Sequence, residues 1–311
     1  MCKFIRQQFY PTAIAMLLLT PATDAANNST PELSGAVRAG AAYHSNVNNT
    51  QLEQASGRGD SARVLEAEVK TRWAATSQWQ LEGGYSFSDT AYRQADSYSS
   101  QLHLLYADSS YRFGAHTAGV NLYYANARLD DADFLSLRQA SLYSMHTLQS
   151  QLVLRPALTI GEKRFTQFSA RNSTSLNAAV DSFWFYDGSG RFISAGLLAE
   201  QERSDDVQYR YKAAGIRLKW SGQYQFWHDK QQFQLALRYN RRDYEHSSSA
   251  LPVNTDTERQ DNQLQLEAVW QWHFNDHFAL HTKLEHGDFD STLQTADYRD
   301  SRASVLLALS F

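Results

Sequence analysis

Apolar and polar side chains alternate with a period of two along most of this chain. Leu65, Ala67, Val69, Thr71 and Trp73 interleave with Glu66, Glu68, Lys70 and Arg72. Trp79, Leu81, Gly83, Tyr85 and Phe87 interleave with Gln80, Glu82, Ser86 and Ser88. Leu264, Leu266, Ala268, Trp270, Trp272 and Phe274 do the same against Gln263, Gln265, Glu267, Gln271 and His273. A strand turns successive side chains to opposite faces, so each stretch reads as a β-strand with one greasy face and one wet face. The pattern predicts strands over 33–44, 62–74, 78–88, 97–106, 111–125, 134–146, 150–163, 176–187, 190–203, 208–227, 231–245, 259–274, 277–288 and 298–311.

The predicted connections alternate in length. Short turns fall at 75–77, 107–110, 147–149, 187–190, 228–230 and 275–277. Longer polar loops fall at 45–61, 89–96, 126–133, 164–175, 204–207, 246–258 and 289–297. Strands with one apolar face, joined by short turns on one side and long loops on the other, describe a closed antiparallel transmembrane barrel. Two places strain the pattern. The connection at 204–207 is short for its side. Pro156, inside the seventh strand, cannot donate a ladder hydrogen bond, and alternation over 134–163 is weak. The fold class is therefore all-β, one barrel of fourteen strands, with twelve as the alternative if a hairpin in 134–163 is a loop excursion.

Tryptophan placement supports the membrane setting. Trp73 and Trp79 flank one short turn, Trp184 and Trp227 precede others, and Trp270 and Trp272 precede another; these are six of the seven tryptophans. Amphipathic rings collect at the membrane–water interface, whereas a soluble sandwich buries them centrally. Mean hydropathy is −0.53 and no later apolar run reaches helix-spanning length, which excludes a helical membrane protein but not a barrel.

The N-terminus reads as a secretory signal over residues 1–25. Lys3 and Arg6 precede the apolar run Ala13–Leu19, and Thr23-Asp24-Ala25 offers a small-residue cleavage site. The barrel domain is then 26–311. The single cysteine, Cys2, lies in that signal, so a mature chain has no disulfide and no thiolate metal site. Loss of Lys3, Arg6 and Asp24 moves the formal charge from −4 to −5. A mildly acidic chain without a basic cluster is a poor nucleic-acid binder.

The wet face of the strands supplies the candidate chemistry. Predicted inward residues include Glu66, Glu68, Lys70, Arg72, Glu82, Gln101, His103, Arg217, Lys219, Gln223, Gln234, Arg238, Asn240, Arg242, Gln265, Glu267, Gln271, Lys283 and Glu285. Turning such charges to lipid costs about 2–4 kcal/mol each near the midplane. They form either a lumen neutralised by salt bridges or a charged solute pathway. Ser141, Ser144 and His146 lie close in sequence, but no third partner is indicated, so an enzyme is not expected. His273, His277 and His281 repeat every fourth residue across strand, turn and strand, where that spacing does not converge on a metal. Asp130-Asp131-Ala132-Asp133 and Asp205-Asp206 read as solvated loop charge. No cofactor is expected.

Two segments carry a resemblance. The chain closes with Ala303, Val305, Leu307, Leu309 and Phe311 on one face, which resembles the last strand of bacterial outer-membrane barrels, where the terminal aromatic is the insertion signal. Near the start, Arg38, Gly40, Tyr43, Ser45, Asn46 and Asn48 resemble the first-strand motif of the surface lipoprotein assembly modifier family, with His44 where Asp is usual. Related openings occur in polysaccharide-export barrels. The resemblance implies an outer-membrane barrel acting as a conduit or assembly accessory, with a lipoprotein or polysaccharide cargo. It also implies outer-membrane lipid, lipopolysaccharide and the barrel-insertion machinery as partners. A passive porin is the alternative and a lipid-acting barrel enzyme the third reading. The family usually carries a helical-repeat domain before its barrel; here the first strand is expected within about ten residues of the cleavage site, leaving no room for it.

Overall fold

The computed structural model describes residues 30–49, 51–52, 54–226, 229–245 and 259–311. The expected signal and Trp227 lie outside them. Fourteen antiparallel strands close into one ring: β1 (Glu32–His44), β4 (Asp60–Ala74), β5 (Trp79–Tyr92), β6 (Ser100–Phe113), β7 (His116–Leu129), β8 (Ala132–Gln149), β9 (Leu152–Phe165), β10 (Ser173–Asp187), β11 (Arg191–Ser204), β12 (Tyr211–Phe226), β13 (Asp229–Tyr244), β14 (Gln260–His273), β15 (Phe278–Ser291) and β16 (Tyr298–Ser310). A minimal ladder, β2 (Asn48–Asn49) with β3 (Gln54–Ala55), stiffens the first loop. Each strand pairs with its neighbour in sequence, and β1 closes on β16 from Ala36↔Ser310 to His44↔Arg302. Closure leaves no unpaired sheet edge, which is what lets a sheet cross lipid.

Both strands of the doubtful 134–163 hairpin stand in the ring, so the count is fourteen. Pro156 is accommodated by a local gap: β8 and β9 pair from Leu135↔Phe165 to Tyr143↔Ala157, and again from His146↔Leu154. Two other boundaries differ from expectation. Residues 107–110 are not a turn; β6 runs to Phe113 and turns at Gly114, whose φ is 63°. Asp108 looked like a turn residue but is an inward strand residue, bonded to Asn121 and Tyr143. Residues 126–133 are not a long loop. β7 and β8 meet at a two-residue turn, Asp130–Asp131, with φ of 50° and 57°. Two left-handed residues in succession match the twist of a hairpin, and Asp tolerates that region better than most residues. The connection at 205–210 holds a short helical turn, Val207–Tyr209, in which Gln208 N–H donates to Asp206 Oδ1 at 3.1 Å.

The outer wall is apolar in the middle and aromatic at the short-turn end. Leu105, Leu142, Leu158, Leu197, Leu266, Leu284 and Leu307 are exposed. Phe233, Trp270 and Trp272 stack in sequence, at 6.4 Å and 6.0 Å between ring centres, and Trp270 and Trp272 donate to Gln231 and Asp229. One apolar surface and one polar tip per ring suit the interface.

The long-loop ends of β6 to β9 invert this rule. Leu102, Leu104, Leu135 and Leu137 are buried inside, clustered with Ala125, Ala127, Phe134 and Phe165. Gln101, His103, Arg128 and Arg138 occupy the alternate, outward positions. Gln101 donates to Asp89 and accepts from Arg128; His103 meets Tyr85 and Phe87. The inward expectation for Gln101 and His103 is thus corrected. Charges on an outer wall are cheap only beyond the hydrocarbon. Outward charge here fits strand ends at the long-loop rim, and Leu52 of the first loop packs on their inner leucines.

Candidate functional site: an occluded lumen

The lumen wall is a mesh of opposite charges. Arg38 on β1 lies between Glu66 (3.5 Å) and Glu68 (2.7 Å) on β4, and Lys70 meets Glu68 at 3.4 Å. Arg72 reaches Glu82 at 3.3 Å, and Tyr106 donates to the same carboxylate at 3.0 Å. Across the ring, Arg217 and Arg155 share Asp181 at 2.8 Å and 3.8 Å. Lys283 sits between Glu267 (3.1 Å) and Glu285 (3.4 Å). Lys163 meets Glu202 at 2.6 Å, which also accepts from Ser173 and Tyr211. The β pleat brings these together because every second residue of neighbouring strands shares the inner face.

The mesh bounds two spaces. A cavity of about 910 Å³ runs from the Ser189–Gly190 turn to His44 and Tyr92. Glu66, Glu68, Lys70, Glu82, Arg217, Lys219, Glu267, Lys283 and Glu285 line it. A second space, of about 100 Å³, lies beneath the long loops beside Arg242, Asn240, Tyr211 and Tyr244. The two share Arg238 and Gln265 as a neck. Arg72 lies beside the first through its bond to Glu82. Arg242 stacks over the Tyr211 ring at 4.8 Å. A wide chamber thus narrows sharply toward the long-loop end.

The first loop reaches across this end. Val47 is fully buried against Ala62 and Tyr92. Leu52 packs on the inward leucine cluster of β6 to β9. Six strands round the ring, Arg171 between β9 and β10 donates to the carbonyls of Gln51 (2.9 Å) and Leu52 (3.3 Å). The Arg171 guanidinium lies 4.0 Å over the Tyr209 ring. The loop therefore spans the mouth and is fastened on both walls. Leu52 and Arg171 had no sequence signal: a leucine and an arginine in polar loops look like ordinary surface residues. The inward leucines left one trace, the weak alternation of 134–163.

The motif near the start of the chain has a structural place. Arg38 joins the carboxylates, and the backbone of β16 passes so close to Gly40 that a Cβ there would crowd Leu306. Tyr43 points outward. Ser45 and Ser301 exchange backbone and hydroxyl bonds at 2.8 Å. Asn46 Nδ2 donates to Arg299 O at 3.1 Å, and Asn48 Nδ2 to Asp300 Oδ2 at 3.1 Å. Arg302 donates to Asn48 Oδ1 at 3.2 Å and pairs with the buried Asp300. These residues clasp the first loop to the last strand at the β1–β16 seam. His44 bonds Tyr92 at 2.6 Å within the same cluster. At the other end of the seam, Phe311 and Gly35 exchange backbone bonds at 2.9 Å and 3.0 Å.

The Ser141, Ser144 and His146 group divides between the faces: Ser141 points inward at Thr159, while Ser144 and His146 point outward. His277 bonds Ser310 O in its turn, while His273 and His281 face each other inside at 6.4 Å.

Among solved structures, the fold is similar to an anion-selective porin from Comamonas acidovorans, at 10% identity and a TM-score of 0.51, covering 91% of this chain and 100% of that one. It is also similar to the outer-membrane protein OmpT of Vibrio cholerae, at 9% identity and a TM-score of 0.51, covering 93% and 100%. Identities this low show the fold alone. No curated protein matches the sequence. The family model for the surface lipoprotein assembly modifier matches residues 26–311, the whole barrel with its clasped seam. This chain belongs to the surface lipoprotein assembly modifier family.

Proposed function

We propose that this outer-membrane barrel is a normally shut conduit that opens for a lipoprotein cargo or its periplasmic carrier. The carrying observation is the first loop, seated across the mouth by Arg171 and Leu52. A charged chamber that narrows beneath a fastened loop suits a gate better than a passive pore. Membership of the family supplies the cargo class. The paired wall suits an extended polypeptide, which needs hydrogen-bonding partners and no net charge preference.

The test is planar-bilayer conductance with and without the fastening. The native barrel is expected to stay closed or flicker. Arg171→Ala removes both carbonyl bonds and is expected to give long, steady openings, while co-expressed surface lipoprotein becomes protease-accessible on cells carrying the native barrel. Large steady conductance from the native barrel, unchanged in Arg171→Ala, would make it a porin.

A further inference from the structure

A second polar feature lies on the outside of the barrel, near its short-turn end. The Ser144 hydroxyl is 3.0 Å from His146 Nε2, and His146 Nδ1 is 2.9 Å from His116 Nδ1. His116 and His146 are directly paired across β7 and β8. His116 opens β7 two residues past Gly114 of the β6–β7 turn, and His146 stands opposite it, so the three polar groups lie at the short-turn end, the end that carries the aromatic ring.

A shallow groove of about 650 Å³ starts at Ser144 and crosses the outer face of β8 to β11. Leu142, Leu158 and Leu197 stand up around it, while Pro156, Ala178 and Ala199 leave its floor low. The register sets Leu158, Ala178 and Ala199 in one row.

The hydrogen-bond chain is not closed on itself. If Ser144 donates to His146, then His146 donates to His116, and His116 Nε2–H is spare. If the chain runs the other way, the Ser144 hydroxyl is spare. Either way one donor is left over on the outer face, and at the membrane interface a lipid oxygen can accept from it.

We infer that this outer groove holds an acyl chain of a glycerophospholipid from the adjacent leaflet, whose ester or phosphate oxygen accepts from the Ser144–His146–His116 chain. The inference does not rest on the lumen's conducting anything.

The test uses the barrel in nanodiscs of phosphatidylethanolamine and phosphatidylglycerol, doped with phosphatidylethanolamine carrying a diazirine on its acyl chain. Labelling is expected on peptides of the β8 to β11 face at about tenfold the level on the opposite strand β16, the ratio that about 1.4 kcal/mol of selective contact gives. Ala178→Trp, which fills the groove, should abolish the excess. The double change Ser144→Ala with His116→Phe should reduce it without adding bulk, so a misfolded Ala178→Trp barrel does not end the test. Heat-modifiability on gels reports folding of each. Even labelling of both faces, or labelling unmoved by either variant, would overturn the inference. So would displacement by an equimolar triacylated lipopeptide, or a cross-link through the groove to a second copy.

Discussion

At the residue scale the most exacting group is the clasp at the seam. Asp300 and Asn48 are almost fully buried, and Arg302 lies against both. Removing one partner of a buried ion pair leaves a charge with neither water nor counter-ion. Asp300→Ala is expected to lower stability by about 3–5 kcal/mol. The reading is the urea concentration at which the barrel loses heat-modifiability, and an unchanged midpoint would mean that the clasp is wet. Asn48→Ala should cost less, about 1.5–3 kcal/mol, because its bonds to the two charged groups are lost while Asp300 and Arg302 keep each other as counter-ions. The sequence made these positions visible as a motif, but not their purpose. Asn46 and Asn48 read as loop residues, and their partners at Arg299, Asp300 and Arg302 lie at the far end of the chain. Only ring closure brings the two ends together.

At the scale of elements, the alternation was legible wherever a strand has lipid outside and a wet lumen inside. Strands β4, β5 and β14 follow that rule, and their expected faces stand in the structure. It failed where the physics changed. At the long-loop ends of β6 to β9 the outside is polar and the inside apolar, because the loop is the inner solvent there. Polarity then reports loop packing and misleads about facing, which is how Gln101 and His103 came to be read as inward. The turn at Asp130–Asp131 shows a second limit: an acidic run looks like a long solvated loop, yet its backbone is a tight hairpin. This turn can be tested. Asp131→Gly removes side-chain strain at positive φ and is expected to be neutral or stabilising by up to about 1 kcal/mol. Asp130→Val puts a β-branched residue in the left-handed region and should cost about 1–2 kcal/mol. Urea midpoints moving the opposite way would mean the β7–β8 connection is longer than two residues.

At the scale of the whole molecule, the charges set the ion selectivity expected of the proposed conduit. Carboxylates and cations share the wall in close pairs, so neither sign dominates the chamber of about 910 Å³. With the loop released by Arg171→Ala, ion selectivity is therefore expected to be weak. Changing Arg238→Ala in that background removes a cation at the neck and should tilt reversal potentials toward cations. A reversal potential unmoved by that change would place the narrowest point elsewhere. The pattern of strands, turns and aromatic ends was enough to foresee the barrel. It was not enough to foresee the loop laid across the mouth, since its seating depends on contacts between residues six strands apart.

The clasp also sets an order in time. Asn46 and Asp300 are 254 positions apart, and every strand of the ring lies between or beside them. Until β16 arrives, Asn46 and Asn48 lack their partners on the last strand, so the seating of the first loop is incomplete. A chain part-way through insertion is therefore an open trough, and sealing is its final event. Cysteines placed at 46 and 299 should cross-link in pulse-labelled chains only once the heat-modifiable form has appeared; earlier cross-linking would mean that the two ends meet before the ring is complete. The same few bonds that hold the finished rim can form only when every strand is in place.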